Sequence, residues 1–351
     1  MLKRFINRLL HWELWPFIII YAPLGAVWLY YGIKARAFYF FSNVNPTLEF
    51  GGFEGEGKQE MYEQLPSELY PATLYVSPSD EMEQVFCKVK QAGLSFPFIV
   101  KPNIGTQGLM FRKLNNKEEL LQYHQYVGDD YLIQALVDLP EEYSVFYICY
   151  PGEKKGKITG LILKDYLSVT GNGEATLLEL IKMDSRAKLR LEEMSLRHQA
   201  HLAKVIPAGE KYYLSIAGNH NRGAKFINLH KEIDEQLCSV FDKIGATVPS
   251  FHYGRYDLKC TSLADLKRGK NIQILEYNGT GAEPNHIYDC GMSYFDALKT
   301  IVQHWEDIYR IGRINYKNGI PYWSFRKGRK HMQKTTRLYK KLRKNDLAFH
   351  L

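Results

Sequence analysis

The sequence lacks paired cysteines. Its five cysteines are widely separated and form no C-x-x-C pair: Cys87, Cys149, Cys238, Cys260 and Cys290. This spacing argues against a zinc site or a disulfide framework and is typical of free thiols in a reducing compartment.

The chain also lacks a uniformly basic surface, although its formal net charge is +8. The stretch 326–344 holds ten lysines and arginines and no acidic residue, and the rest of the chain is slightly acidic. Nucleic acid is therefore not an expected partner of the body. For the basic tail itself, a solvated arm, a nucleic-acid contact and an anionic membrane surface are all open interpretations.

Residues 15–32 contain no charged side chain. Eighteen helical residues span about 27 Å, near the lower limit for crossing the hydrocarbon core of a bilayer. Tryptophans and tyrosines at both ends are typical of a membrane interface. Pro23 predicts a kink near the middle, and basic residues lie on both flanks. This pattern favours a kinked, re-entrant or interfacial segment with both ends in the cytosol, with a buried helix of a soluble domain as the alternative.

Two extended runs in the last third of the chain, HYGRYDLKC and NIQILEYN, are joined by a charged connector that contains glycine. This pattern predicts a β-hairpin. Side chains alternate along a strand, so Arg255 and Asp257 share one face of the first run, and Glu276 and Asn278 share one face of the second. Two carboxylates and an amide oxygen suit Mg²⁺, and a neighbouring arginine suits a phosphoryl group. A solvated hairpin with polar side chains facing water is the alternative.

A second candidate element lies upstream in FPFIVKPNIGTQGLM. A short apolar strand ends at Lys101, and a loop with Gly105 and Gly108 follows. Such a loop can offer an ammonium group and several backbone N–H groups to a polyphosphate. A Lys-Pro pair at the end of a strand also occurs in ordinary turns.

Together, in this order, the two elements resemble the ATP-grasp superfamily of carboxylate-amine ligases over roughly residues 55–310. That superfamily includes the D-alanine:D-alanine ligases and the cyanophycin synthetases. The run at 158–182, with its GNG turn and Thr176 as a predicted helix cap, is similar to one in cyanophycin synthetases and bifunctional glutathione synthetases. The resemblance implies an α+β ATP-grasp fold that holds the nucleotide between two lobes.

The resemblance also implies roles for individual residues. Catalytic roles fall on Arg255, Lys101, Asn221 and Arg222, and metal ligation falls on Asp257, Glu276 and Asn278. Nucleotide contacts fall on Lys58, Lys101, Gly105, Thr106, Gln107, Gly108, Gln134, Ala135, Val137 and Glu142. Glu142 matches the acid that holds the ribose. Relatives usually carry a glutamate where this chain has Ala135, so only backbone contacts to adenine are implied at that position.

The implied reaction joins a carboxylate to an amine or a thiol through an acylphosphate and releases ADP and phosphate. ATP is the cosubstrate, with one or two Mg²⁺ ions and Mn²⁺ as the alternative metal. A small-molecule kinase and an ATP-binding membrane scaffold without turnover are the other classes considered, and homo-oligomerisation is left open.

We predict three regions: a membrane-associated segment at 1–50, an ATP-grasp domain at 51–320 and a basic tail at 321–351. The first region leaves no obvious room for the Rossmann-like domain that usually precedes this fold. The predicted location is the cytoplasmic face of the cell membrane.

Overall fold

The computed structural model describes residues 12–106, 108–215, 218 and 223–349. These residues form a mixed α and β structure, as predicted, and the architecture is consistent with an ATP-grasp fold. The strands are β1 (Thr73–Val76), β2 (Phe98–Pro102), β3 (Arg112–Leu114), β4 (Tyr131–Ala135), β5 (Glu141–Ile148), β6 (Lys157–Asp165), β7 (Ser168–Thr170), β8 (Lys211–Tyr213), β9 (Lys225–Asn228), β10 (Tyr253–Cys260) and β11 (Gln273–Asn278). The α-helices are α1 (Phe17–Tyr21), α2 (Gly25–Ala35), α3 (Lys58–Tyr62), α4 (Met82–Gln91), α5 (Lys117–Val127), α6 (Leu177–Met183), α7 (Leu191–Arg197), α8 (Glu235–Thr247), α9 (Leu263–Arg268), α10 (Tyr294–Lys317) and α11 (Phe325–Ala348).

The chain forms two compact units, and the smaller is Leu163–Asn228. The larger unit contains the rest of the described chain, including both ends. This division differs from the predicted one, in which 1–50 and 321–351 stood apart from a domain at 51–320. The physical reason is that both ends pack onto the body, as described below.

The first sheet of the larger unit has the strand order β1-β4-β2-β3. Its neighbouring strands are antiparallel, and Lys101 of β2 lies opposite Leu132 of β4. One face of the sheet packs against α4 and α5 through fully buried side chains such as Val85, Leu120 and Tyr123. The sheet therefore holds Lys101 at the edge of a rigid core.

In the second sheet, β10 lies between β11 and β5, and β6 lies on the other side of β5. Both neighbours of β10 are antiparallel to it. Buried aromatic side chains, including Phe146 and Tyr253, join this sheet to α10 and to the N-terminal segment. Strand β10 is thus the central support for polar side chains on this sheet.

The smaller unit has its own apolar core, built on the β7–β8 pair and helices α6 and α7. Thr176 caps α6, because its side chain accepts a hydrogen bond from the backbone N–H of Glu179 while the Glu179 carboxylate contacts Thr176 in return. The predicted helix cap is confirmed.

The apolar N-terminal segment consists of α1 and α2, joined by a 3-10 turn at Ala22–Leu24 that contains Pro23. The break matches the kink predicted at this proline. One face packs on the body, where the Trp28 ring lies 4.9 Å from the ring of Trp305 on α10. The stretch Ile18–Ala35 is long and apolar enough to cross a membrane, a criterion that a helix of a soluble protein also meets.

The basic C-terminal stretch is a 24-residue helix, α11, whose narrow inner face lies on the body. Its inner residues are mostly small or polar, with Leu342 fully buried in the core of the first sheet. Asp346 accepts a hydrogen bond from the backbone N–H of Met110 at 2.8 Å and pairs with Arg112 at 3.0 Å. The helix therefore supports the end of the loop between β2 and β3 and is not a solvated arm.

Leu342→Ala is expected to lower the free energy of unfolding by about 2–5 kcal/mol, because it leaves a cavity in a packed core. Leu347→Ala on the same helix, where the leucine is 72% exposed, is the matched control and should change stability by less than about 0.5 kcal/mol. Chemical denaturation measures both. Equal, small effects would mean that α11 does not contribute to the core.

Candidate active site

The predicted hairpin is confirmed, with β10 and β11 paired in antiparallel register. Arg255 lies opposite Asn278, and Asp257 lies opposite Glu276. The connector forms the short helix α9, capped by the Ser262 side chain. Because directly opposite residues project from the same face of a sheet, the register brings all four predicted polar side chains together.

Among these four side chains, Asp257 accepts the most hydrogen bonds. The Arg255 guanidinium donates from Nε to Oδ1 and from Nη2 to Oδ2, each at 3.1 Å. Asn278 Nδ2 donates to Oδ2 at 3.2 Å, and the hydroxyl of Ser144 on β5 donates to Oδ1. These four hydrogen bonds occupy the usual capacity of a carboxylate, so Asp257 and Arg255 form a fixed, buried pair.

Glu276 is more open, with 38% of its side chain exposed. One of its oxygens lies 3.4 Å from Nζ of Lys58, the first residue of α3. The backbone N–H of Lys58 donates to the carbonyl of Asn103, in the loop after β2. The structure thus places the predicted phosphate lysine beside the predicted metal ligand.

Lys101 is buried, and its ammonium group donates to the hydroxyl of Tyr62 at 3.0 Å and to the carbonyl of Leu275 at 3.1 Å. Burial lowers the pKa of Lys101 to about 8, while the charges of Glu276 and Glu142 act in the opposite direction. Since Leu275 precedes Glu276 on β11, this lysine ties the first sheet to the hairpin.

The loop after Lys101 has the shape expected of a glycine-rich turn between β2 and β3. Gly108 adopts φ +71°, a conformation that favours glycine, whereas Gly105 does not have a positive φ. Asn103 fixes the base of the loop, because its side-chain oxygen accepts the backbone N–H of Gln59 at 2.9 Å. Gly105, Thr106 and Gly108 lie in this loop, and Gln107 lies outside the described residues.

The side-chain oxygens of Asp257, Glu276 and Asn278 suit a magnesium ion that also binds phosphate oxygens. The described residues contain no cluster of three or more His, Cys, Asp or Glu side chains suited to a metal. The predicted set has two carboxylates and one amide, and Mg²⁺ typically takes one or two carboxylates together with water and phosphate oxygens. Glu276 and the amide oxygen of Asn278 are the more accessible donors, since Asp257 would have to exchange a hydrogen bond.

Comparison with known proteins gives partial matches. No family model matches the chain. The chain is 27% identical over 148 residues to the glutathione biosynthesis bifunctional protein GshAB of Clostridium perfringens, a match that covers 38% of this chain. The predicted resemblance to ATP-grasp ligases is confirmed. The chain spans only 19% of that relative's length.

Solved structures of ligases are similar to parts of the chain. A bifunctional glutathione synthetase from Pasteurella multocida matches with a TM-score of 0.37 and 14% identity, covering 71% of this chain and 36% of that chain. A D-alanine–D-alanine ligase from Bacillus anthracis matches with a TM-score of 0.41 and 15% identity, covering 72% and 68%. These scores are low, so the site residues are argued from their own geometry.

Of the predicted adenine-binding residues, Gln134 and Ala135 end β4, and Val137 follows before β5. The Gln134 side chain is buried and donates to Thr73 on the neighbouring strand β1 at 2.8 Å. Lys259 Nζ donates to the carbonyl of Val137 at 3.2 Å, which occupies an acceptor of the predicted adenine-binding segment. Ala135 ends β4 and has no polar side chain, so any contact from it to adenine is made by its backbone.

Glu142, the predicted ribose-binding acid, is buried on β5 opposite Lys259 of β10. Its charge also acts on Lys101. Asn221 and Arg222 lie outside the described residues. Gly223 beside them adopts φ +88°, a conformation that favours glycine.

Three contributing residues were missed from the sequence. Tyr62 stands one helical turn after Lys58 on α3 and accepts from Lys101, and Ser144 stands two residues after Glu142 on the same face of β5. Both follow from helical and strand periodicity once the first residue is known. The third residue is Glu56, in the glycine-rich stretch before α3, on which the charges of Lys58 and Glu276 act. Burial raises the pKa of Glu56 to about 7.

Proposed function

We propose that this chain is an ADP-forming ligase that joins a carboxylate to an amine through an acylphosphate. The observation that carries the proposal is the register of β10 and β11, with Arg255, Asp257, Glu276 and Asn278 on one face. Lys58, from helix α3, and Lys101, from the first sheet, reach the same hairpin. The cationic side chains complement the phosphates of a nucleoside triphosphate, and the carboxylates complement its metal ion.

The side chains act by position and charge. Lys58 and Lys101 would hold phosphate oxygens, and Glu142 would hold the ribose. Arg255, fixed by Asp257, would neutralise the phosphoryl group in transfer and then the acylphosphate. No nucleophilic side chain is required, because the substrate carboxylate attacks the γ-phosphate directly.

A magnesium ion would be held by Glu276, Asn278 and Asp257. When bound, it would supply charge neutralisation of the β- and γ-phosphate oxygens. The chain's own contribution is to fix those ligands on two paired strands.

A small-molecule kinase could use the same nucleotide residues, and hydroxylamine separates the two activities. Purified protein, ATP and Mg²⁺ would be incubated with pooled carboxylic acids, including a lipid extract, with and without hydroxylamine. A ligase should release ADP and form a hydroxamate with one acid, because hydroxylamine captures an acylphosphate. ADP release with a stable phosphorylated product and no hydroxamate would indicate a kinase.

We also propose that the protein works at the cytoplasmic face of an anionic membrane. The outer face of α1 and α2 exposes Ile18, Ile19, Leu29 and Ile33, which are 50–72% exposed, with no charged residue between them. Exposed apolar patches of this kind mark protein or membrane contacts. A peripheral attachment suits a segment whose other face is packed on the body.

Charge favours lipid over a second copy of the chain. The ring of Phe38 after α2 lies 5.6 Å from that of Phe325 at the start of α11. The exposed basic residues of the first turns of α11, Arg326, Lys327, Arg329 and Lys330, therefore adjoin the apolar face. Two copies meeting here would bring like charges together, whereas anionic lipid would neutralise them at about 1 kcal/mol per side chain.

Flotation with phosphatidylglycerol-containing vesicles tests the attachment. Binding should be lost in the Leu29→Asn/Ile33→Asn double variant and retained in Leu347→Asn, which changes a more exposed leucine on α11. Replacing the four basic residues by Gln should weaken binding at least about tenfold and abolish its salt dependence. No binding of the wild-type chain, or a dimer that survives in solution, would reject the membrane surface.

A further inference from the structure

Glu283 follows the catalytic hairpin by five residues and is fixed on both its side chain and its backbone. One carboxylate oxygen, Oε1, accepts from the hydroxyl of Tyr21 at 2.8 Å and from that of Tyr288 at 2.9 Å. The Glu283 carbonyl accepts from Nη1 of Arg255 at 3.1 Å and from the backbone N–H of Asn285 at 2.8 Å. Glu283 is thus attached directly to the guanidinium that faces the reaction.

The second carboxylate oxygen, Oε2, receives no hydrogen bond from any residue that the structure describes. A carboxylate accepts about four hydrogen bonds, so half of the capacity of Glu283 is open. The fork of Arg255 does not satisfy it, because Nε and Nη2 are directed at Asp257. The side chain is only partly buried, so a substrate group can reach it.

We propose that Glu283 binds the ammonium group of the amine substrate. This inference rests on the proposed ligase function. If Arg255 holds the acylphosphate, then the amine must arrive within a few ångströms of that guanidinium. The charge of the Glu283 carboxylate acts on Arg255, and an oriented carboxylate of this kind attracts a primary ammonium and accepts a charge-assisted hydrogen bond from it. The same charge would repel a second carboxylate, which makes the subsite selective for the amine.

The two tyrosines orient the carboxylate and connect it to the apolar segment. Tyr21 lies at the end of α1, and the hydroxyl of Tyr294 donates to the carbonyl of Ile20 beside it at 3.2 Å. Burial, followed by the charge of Glu283, raises the pKa of Tyr21 far above its ordinary value, so its hydroxyl is a donor at all working pH values. An alternative is that Glu283 only anchors α1 to the body.

Two nucleophiles of different charge separate these roles. With an acid identified through its hydroxamate, Glu283→Gln would be compared with wild type using hydroxylamine, which is largely uncharged at neutral pH, and using ethanolamine and n-butylamine, which are ammonium ions. Hydroxamate formation should be nearly unchanged. The KM for the two amines should rise roughly 10- to 100-fold, as expected for loss of a charge-assisted hydrogen bond.

Control variants keep the test decisive. Glu306→Gln changes an exposed carboxylate on α10 that pairs with Arg310. This variant should change neither hydroxamate formation nor the KM for the two amines. Tyr288→Phe keeps the charge of Glu283 and should raise the amine KM less than Glu283→Gln does. Thermal melting of each variant reports whether the fold survives.

Each contrary outcome has a distinct meaning. Equal loss with hydroxylamine and with the amines would show that Glu283 only positions Arg255, and an unchanged amine KM would show that it only anchors α1. Either result overturns the amine subsite while leaving the ligase function intact. Failure of the wild-type protein to form any hydroxamate would instead reject the proposed function, and the amine subsite with it.

Discussion

Glu276→Gln is expected to reduce ADP formation at saturating ATP by about 100-fold or more while the fold stays intact. The substitution keeps the size of the side chain and removes the most accessible carboxylate on the hairpin face, which has 38% of its side chain exposed. If that carboxylate holds a magnesium ion, its loss would remove charge stabilisation of the phosphate oxygens in the transition state. Coupled-enzyme detection of ADP across a range of Mg²⁺ concentrations measures the effect.

The Mg²⁺ titration distinguishes metal ligation from a structural role. A lost ligand should raise the Mg²⁺ concentration required for half-maximal activity, whereas a structural change should not. Asp265→Asn is the matched control, since Asp265 lies on α9 between the same two strands and pairs with Arg268. Wild-type turnover in Glu276→Gln would reject this residue as a metal ligand.

Asp257→Asn should be at least as damaging, for a different reason. Asp257 is buried and accepts from Arg255, Ser144 and Asn278. An amide has only one acceptor oxygen, so the Arg255 fork would lose one of its two partners. Hydroxamate formation should therefore also fall in Asp257→Asn, because Arg255, which we propose binds the acylphosphate, would no longer be fixed.

The site could be predicted from sequence where short-range periodicity controls it. Alternation along a strand puts Arg255 with Asp257 and Glu276 with Asn278, and the short connector permits only an antiparallel pair. The second candidate element could be predicted because Lys101 ends a short apolar strand that a glycine-containing loop follows. These features depend on neighbours in sequence, and the observed register agrees with them.

Contacts between distant parts of the chain could not be predicted in the same way. From its sequence, helix α11 cannot be distinguished from a solvated basic arm, because few aliphatic residues indicate a buried side. Its inner face carries Gly328, His331 and Thr335 instead. One partner of His331 is the carbonyl of Glu54, which lies 277 residues away. Similarly, no local pattern links Tyr21 to Glu283. Such pairs are set by tertiary packing, which a local sequence pattern does not encode.

Lys101→Met is expected to weaken ATP binding roughly 10- to 100-fold while leaving the fold intact, as for the loss of a charge-assisted contact to phosphate. Methionine retains the length of the side chain but removes its charge. Tyr62 keeps a partner in the variant, because its hydroxyl donates to the Leu275 carbonyl independently of the lysine. Isothermal titration calorimetry with a non-hydrolysable ATP analogue measures the affinity.

The pH dependence of the same variant gives a second, independent readout. Burial lowers the pKa of Lys101 from 10.5 to about 8, so between these values the unfolded chain binds more protons than the folded one. Stability from this group should therefore increase as pH rises from about 8 to about 10.5, and Lys101→Met should lack that increase.

In the wild type, ATP affinity should fall above pH 8 as the ammonium loses its proton. Near pH 8.5, analogue binding should also take up protons, because phosphate favours the charged lysine. Calorimetry in buffers of different ionisation enthalpy detects that uptake. An identical pH profile of ATP affinity in wild type and Lys101→Met would mean that the lysine does not face the phosphates, leaving it as a structural link between β2 and Leu275.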